Sequence, residues 1–133
     1  MMTDMQAIHI EGSRSTPEIH FDPVLNTLSV KGQSFPENAF KFYEPILAWL
    51  DMYLEQLQQE VTVKFELMLP YINTSSTKCF MTLLEKLDEA HAAGKNVQLF
   101  WYYDMENESE FECAQEFKED LNLPFHLICK ETT

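Results

Sequence analysis

From residue 61 to residue 130 the chain alternates between strand-like and helix-like segments, and that order constrains the fold more than any other feature. Residues 61–69 (VTVKFELML) place Val61, Val63, Phe65, Leu67 and Leu69 on one face and Thr62, Lys64 and Glu66 on the other. This is the period-two pattern of a strand buried on one side, and Pro70 ends it. A helical stripe follows, Phe80, Leu83, Leu84, Leu87 and His91, closed by Gly94 in the position of a C′ residue. Residues 96–103 (NVQLFWYY) are apolar on both faces and predict a central strand. Asn107 and Ser109 are candidate caps for a third helix carrying Phe111, Ala114, Phe117 and Leu121, and residues 125–130 (FHLICK) make a last strand. Strands separated by helices pair in parallel through crossovers.

Upstream the pattern changes. Residues 7–10 are a short strand candidate, and 18–22 and 27–31 alternate around Pro23-Val24-Leu25-Asn26, which predicts a hairpin. Ser34 and Glu37 have capping-box spacing. Apolar residues then recur at 39, 42, 43, 46, 47, 50, 53, 54 and 57, the period of an amphipathic helix in which Pro45 should produce a kink or a break. The expected fold class is α/β: one domain over residues 1–133, a mixed sheet with an N-terminal β-hairpin and about three helices.

Composition removes several functions. Lys and Arg number 9 against 22 Asp and Glu, a net charge of −13. Nucleic acid and anionic membrane surfaces both demand a basic face, so neither is an expected partner. The N-terminus lacks the pattern of a signal peptide, and no apolar run approaches a membrane span. Cys79, Cys113 and Cys129 form neither a CxxC pair nor a disulfide framework, which fits a cytoplasmic protein with free thiols. Glycine-rich nucleotide loops are missing. His9, His20, His91 and His126 are scattered, so no metal or other cofactor is expected. The abundant carboxylates fall on polar faces and read as solvated surface.

One segment stands out. Asn73-Thr74-Ser75-Ser76-Thr77-Lys78 lies where a strand feeds a helix. The plain reading is a helix cap supplied by any one of these side chains, worth ~1 kcal/mol. The sharper reading is a regulatory phosphorylation site. A phosphate would meet the positive end of the helix dipole and three or four free backbone N–H groups, with Lys78 one turn away. A third reading makes Cys79 a nucleophile, although no histidine lies near it in sequence.

At these residues the chain resembles the SiaC-type bacterial regulatory phosphoproteins, small domains similar in fold to STAS domains and anti-sigma-factor antagonists. The matching stretches are 32–38 (GQSFPEN), 42–50 (FYEPILAWL), 65–78 (FELMLPYINTSSTK) and 97–104 (VQLFWYYD) with the acidic segment behind it. The resemblance implies a partner-switching signalling protein and not an enzyme. A dedicated protein kinase would phosphorylate Thr74, with Asn73, Ser75, Ser76 and Lys78 supporting it and Ser75 and Ser76 acting as caps. A PP2C-type phosphatase would remove the phosphate. The unmodified form would bind and activate a diguanylate cyclase, raising cyclic-di-GMP and favouring biofilm growth. The alternatives are a small hydrolase or transferase using the hydroxyl cluster or Cys79, and a constitutive scaffold. The polar face of strand 61–69 and the aromatics Phe100 and Tyr102 are candidate partner surface, with core packing the favoured fate of the aromatics.

Overall fold

The computed structural model describes residues 5–130. Strands β1 (Ile8–Ile10), β2 (Glu18–Asp22) and β3 (Thr27–Lys31) are followed by α1 (Ala39–Gln56), β4 (Thr62–Met68), α2 (Thr74–Ala92), β5 (Asn96–Asp104), α3 (Glu108–Glu119) and β6 (Phe125–Lys130). The six strands form one sheet in sequential order. β1, β2 and β3 pair antiparallel, whereas β3–β4, β4–β5 and β5–β6 are parallel. The mixed sheet and the hairpin match the sequence reading.

The hairpin forms because Asp22 turns the chain. Its Oδ1 accepts the N–H groups of Val24 and Leu25, and Asn26 supplies a left-handed residue at φ 54°. Sequential strand order then determines the layers. Three crossovers of the usual right hand between successive neighbours carry α1, α2 and α3 to the same face of the sheet. Val63, Phe65, Leu67, Val97, Leu99 and Trp101 are buried against that layer. The other face is open: Thr62 and Lys64 are exposed, and Glu66, Gln98, Phe100 and Tyr102 are half-buried.

This open face corrects the expectation for 96–103. β5 is an interior strand, but Phe100 and Tyr102 are not core. They are sheltered by their neighbours, Phe100 by stacking on His126 (centroids 4.8 Å) and by Lys64 Nζ 5.8 Å from its ring centre. Three further expectations change. Ser34 does not cap α1. The cap is Asn38, whose side chain accepts the Lys41 N–H, while Ser34 is buried in a bridge to Ile72. Pro45 does not end the helix, which runs on to Gln56. Lys41, whose carbonyl loses its partner to Pro45, and Pro45 itself are exposed, so water can take that bond. Nor are the histidines all isolated: His9 faces His20 across the β1–β2 pair, ring centroids 5.1 Å apart, and its Nε2 lies 3.2 Å from Glu18. Gly94 follows the α2 C-cap at φ +96°, as the spacing predicted.

Candidate functional site at the start of helix α2

Parallel strands bring their carboxyl ends to one edge, and the loops leaving β3, β4 and β5 meet there. The sheet ladder continues into those loops. Gly32 N–H donates to Met68 O, Ser34 N–H to Tyr71 O and Asn73 N–H to Ser34 O. The Phe35 and Tyr71 rings meet edge to face at 5.9 Å. The α2 start is therefore held by backbone bonds on the side facing β3.

Asn73 caps the helix. Its Oδ1 accepts the Ser76 N–H at 2.9 Å, and its backbone carbonyl accepts the Thr77 N–H. The cap is thus an amide and not one of the hydroxyls, which corrects the roles expected of Ser75 and Ser76. It also reduces the anion-binding inventory. With the Ser76 and Thr77 N–H groups engaged, those of Thr74 and Ser75 are the ones without an acceptor among the described residues. Two free donors replace the expected three or four.

The hydroxyls divide by depth. Thr74 and Ser75 are exposed and Thr77 is half-buried, its Oγ1 donating to the Asn73 carbonyl. Ser76 is buried, and its Oγ lies 2.8 Å from Ser34 Oγ, which lies 2.6 Å from Tyr43 Oη. This chain of hydroxyls ties α2 to α1 and to the β3–α1 loop. Burial raises the Tyr43 pKa, so the phenol stays protonated and can serve as a donor. Lys78 is exposed one turn beyond Thr74, and α2 has no acidic residue in its first turn.

Cys79 lies beneath this surface. It is buried, and burial pushes its thiol pKa up. A buried, protonated thiol is a poor nucleophile, so the Cys79 reading loses its support. Among the described residues, no group of three or more His, Cys, Asp or Glu is placed to hold a metal ion. Nor is any helix long and apolar enough to cross a membrane.

Sequence reasoning missed one residue outright. Glu110, in the first turn of α3, is only 4% exposed. Its Oε2 accepts the Leu69 N–H at 3.0 Å and the Trp101 indole N–H at 3.3 Å, and its Oε1 accepts the Asp104 N–H at 3.3 Å. Beside it, Asn107 caps α3 and donates its amide to Pro70 O. Two side chains of α3 thereby grip the backbone leading into α2. The available signal was helical phase: Glu110 shares a stripe with Ala114 and Phe117.

Known proteins resemble this chain along most of its length. A family model described as "SiaC family regulatory phosphoprotein" matches residues 10–130. An uncharacterized protein of Pseudomonas aeruginosa (strain UCBPP-PA14) is 40% identical over 121 residues, covering 91% of this chain and 94% of that protein. The crystal structure of apo-SiaC from Pseudomonas aeruginosa superposes with a TM-score of 0.87 at 39% identity, covering 93% of this chain and 99% of that one. SiaC bound to the diguanylate cyclase SiaD, which it activates, gives the same TM-score and identity, covering 92% and 99%. With the fold shared and the match nearly full-length, this chain belongs to the SiaC family of regulatory phosphoproteins.

Proposed function

We propose that this protein is a phosphorylation-switched activator of a diguanylate cyclase, acting by binding and not by catalysis. Thr74 is the acceptor, a protein kinase and a PP2C-type phosphatase set its state, and the unmodified form engages the cyclase. The observation that carries the reading is the exposed Thr74 at the first position of α2, beside two N–H groups that nothing in the described fold uses. The structure of a 39% identical SiaC with its cyclase supports the choice of effector.

The chemistry is local. A phosphate adds about −1.5 to −2 charges at pH 7 and three acceptor oxygens. At the start of α2 it finds the N–H groups of Thr74 and Ser75, the helix dipole and Lys78, so the fold tolerates it. Ser75 is also exposed, while Ser76 is buried and bonded to Ser34, which withholds it from a kinase.

The test is a mass measurement and a titration. Incubation with the cognate kinase is expected to add one phosphate, located on Thr74 by fragmentation. Modification of Ser75 alone would refute the assignment. Thr74→Asp is expected to weaken cyclase binding at least about 10-fold, with Thr74→Ala close to the parent. Equal affinities for the two variants would remove the switch.

A further inference from the structure

Histidines 9 and 20 lie apart in the sequence, and strand pairing brings them face to face. They are direct register partners in the antiparallel β1–β2 pair. Their strand neighbours Ile8, Ile10, Ile19 and Phe21 pack toward the core, so both imidazoles project from the open face of the sheet, where both are exposed. The ring centroids are 5.1 Å apart, with the planes tilted by 47°. Two imidazole nitrogens that share one ion at ~2.0–2.1 Å and a tetrahedral angle hold their ring centres about 5 Å apart. The pair therefore already has the spacing of a two-histidine chelate.

Glu18 supplies the second observation. It precedes His20 by two residues on β2, which puts it on the same face, and its Oε2 lies 3.2 Å from His9 Nε2. A carboxylate can only accept, so the neutral His9 ring donates from Nε2 and keeps its lone pair on Nδ1. Metal-ligating histidines have this partner: a carboxylate on the other ring nitrogen sets the tautomer and makes the free nitrogen a better ligand. Glu18 is thus a positioning residue and not a third ligand, in keeping with the absence of any three-ligand group among the described residues.

We propose that His9 and His20 chelate one divalent transition-metal ion on the open sheet face, with Glu18 orienting His9 and water filling the remaining positions. Imidazole ligands favour Cu²⁺, Ni²⁺ and Zn²⁺, with Cu²⁺ bound tightest, over Mg²⁺ and Ca²⁺, which take oxygen ligands. In a chain of net charge −13 the cation also gains from the field of the whole molecule. The site is on the face opposite α2, so Thr74 has no part in it. His9 precedes residues 10–130 that the family model matches, so membership of the family does not carry the pair. The ion would act on the sheet itself: β1 is a three-residue edge strand paired only with β2, and a bridge from His9 to His20 staples it there.

The experiment titrates the untagged full chain with Ni²⁺ and Cu²⁺ by calorimetry, with Mg²⁺ as the hard-ion control. One Ni²⁺ or Cu²⁺ per chain is expected, and no Mg²⁺. His9→Ala and His20→Ala are each expected to weaken binding at least about 10-fold, and Glu18→Gln about 10-fold at an unchanged metal-free unfolding midpoint. His91→Ala and His126→Ala are expected to bind as the parent does. Electron paramagnetic resonance of the Cu²⁺ form should show two nitrogen ligands. Saturating Ni²⁺ should raise the thermal midpoint of the parent and leave that of His9→Ala where it was, the metal-free midpoints confirming that both are folded. Parent-like affinity in the His9 and His20 variants overturns the site, as does an equal loss in His126→Ala. One ion per two chains with a doubled mass overturns it too, since the ion would then be held between copies.

Discussion

Helices α2 and α3 begin side by side at the same edge of the sheet, and their first turns can be compared position by position. Each is capped by an asparagine whose side chain accepts the N–H three residues on, Asn73 from Ser76 and Asn107 from Glu110. In both, the first and second helical positions are exposed and the third is buried: Thr74, Ser75 and Ser76 against Glu108, Ser109 and Glu110. What differs is charge. α3 carries Glu108 and Glu110 in its first turn, and α2 carries no acid there. A phosphate on Thr74 would therefore put negative charge where α3 already keeps a carboxylate. The fold accepts an anion at that position in one helix permanently and leaves it open in the other.

The buried third positions should give the largest effect when this comparison is broken. Glu110→Ala leaves the N–H groups of Leu69, Asp104 and the Trp101 indole without their acceptor. At roughly 1–3 kcal/mol per stranded group, the loss should be about 3 kcal/mol or more. A fall in the urea midpoint at unchanged slope would measure it. Glu110→Gln keeps one acceptor oxygen and should lose less. On α2, Ser34→Ala removes the hydroxyl shared by Ser76 and Tyr43 and should cost about 2 kcal/mol. If both substitutions left stability unchanged, the buried polar links at this edge would be incidental to the fold.

The caps come next. Asn73→Ala should cost ~1 kcal/mol, and Thr74→Ala should stay within about 0.5 kcal/mol. A helix capped by its hydroxyls instead of by Asn73 would give the reverse order. Thermal unfolding of the two variants therefore tests the assignment of the cap to Asn73 without any partner present.

These contrasts also show what the sequence could and could not reveal. Alternation over 61–69, the run of capping residue types at 73–77, the candidate cap Asn107 and Gly94 at the end of α2 are local signals, and the elements they announced are present. Their order implied the parallel sheet. Ser34 misled because its spacing to Glu37 imitates a cap, while its partners Tyr43 and Ser76 lie 9 and 42 residues away. Glu110 misled because a carboxylate in a run of carboxylates reads as surface, and two of its three donors are the main-chain N–H groups of Leu69 and Asp104, which no side-chain pattern encodes. The aromatic strand 96–103 misled for a third reason. Apolar residues on both faces show that a strand can be covered twice, and only the helix layout shows that it is covered once. The helix start at 73–78 was legible because capping residue types are a local signal; what the exposed edge touches is not.

The smallest effect tests the charge comparison itself. Thr74→Glu gives α2 the first-position carboxylate of α3, and Glu108→Thr gives α3 the first-position hydroxyl of α2. An anion in the first turn contributes about 0.3–1 kcal/mol at low salt, so the first substitution should stabilise and the second should destabilise. The two magnitudes should differ. In α2 the added carboxylate meets the unused N–H groups of Thr74 and Ser75 with no acid in that turn, whereas Glu108 shares its turn with Glu110. Thr74→Glu should therefore gain more than Glu108→Thr loses, and both effects should shrink as salt screens them. Denaturant titrations at low and high salt read the difference. A destabilising Thr74→Glu would mean that the α2 start rejects an anion, and that phosphorylation acts by disrupting the helix instead of by blocking a surface that stays folded.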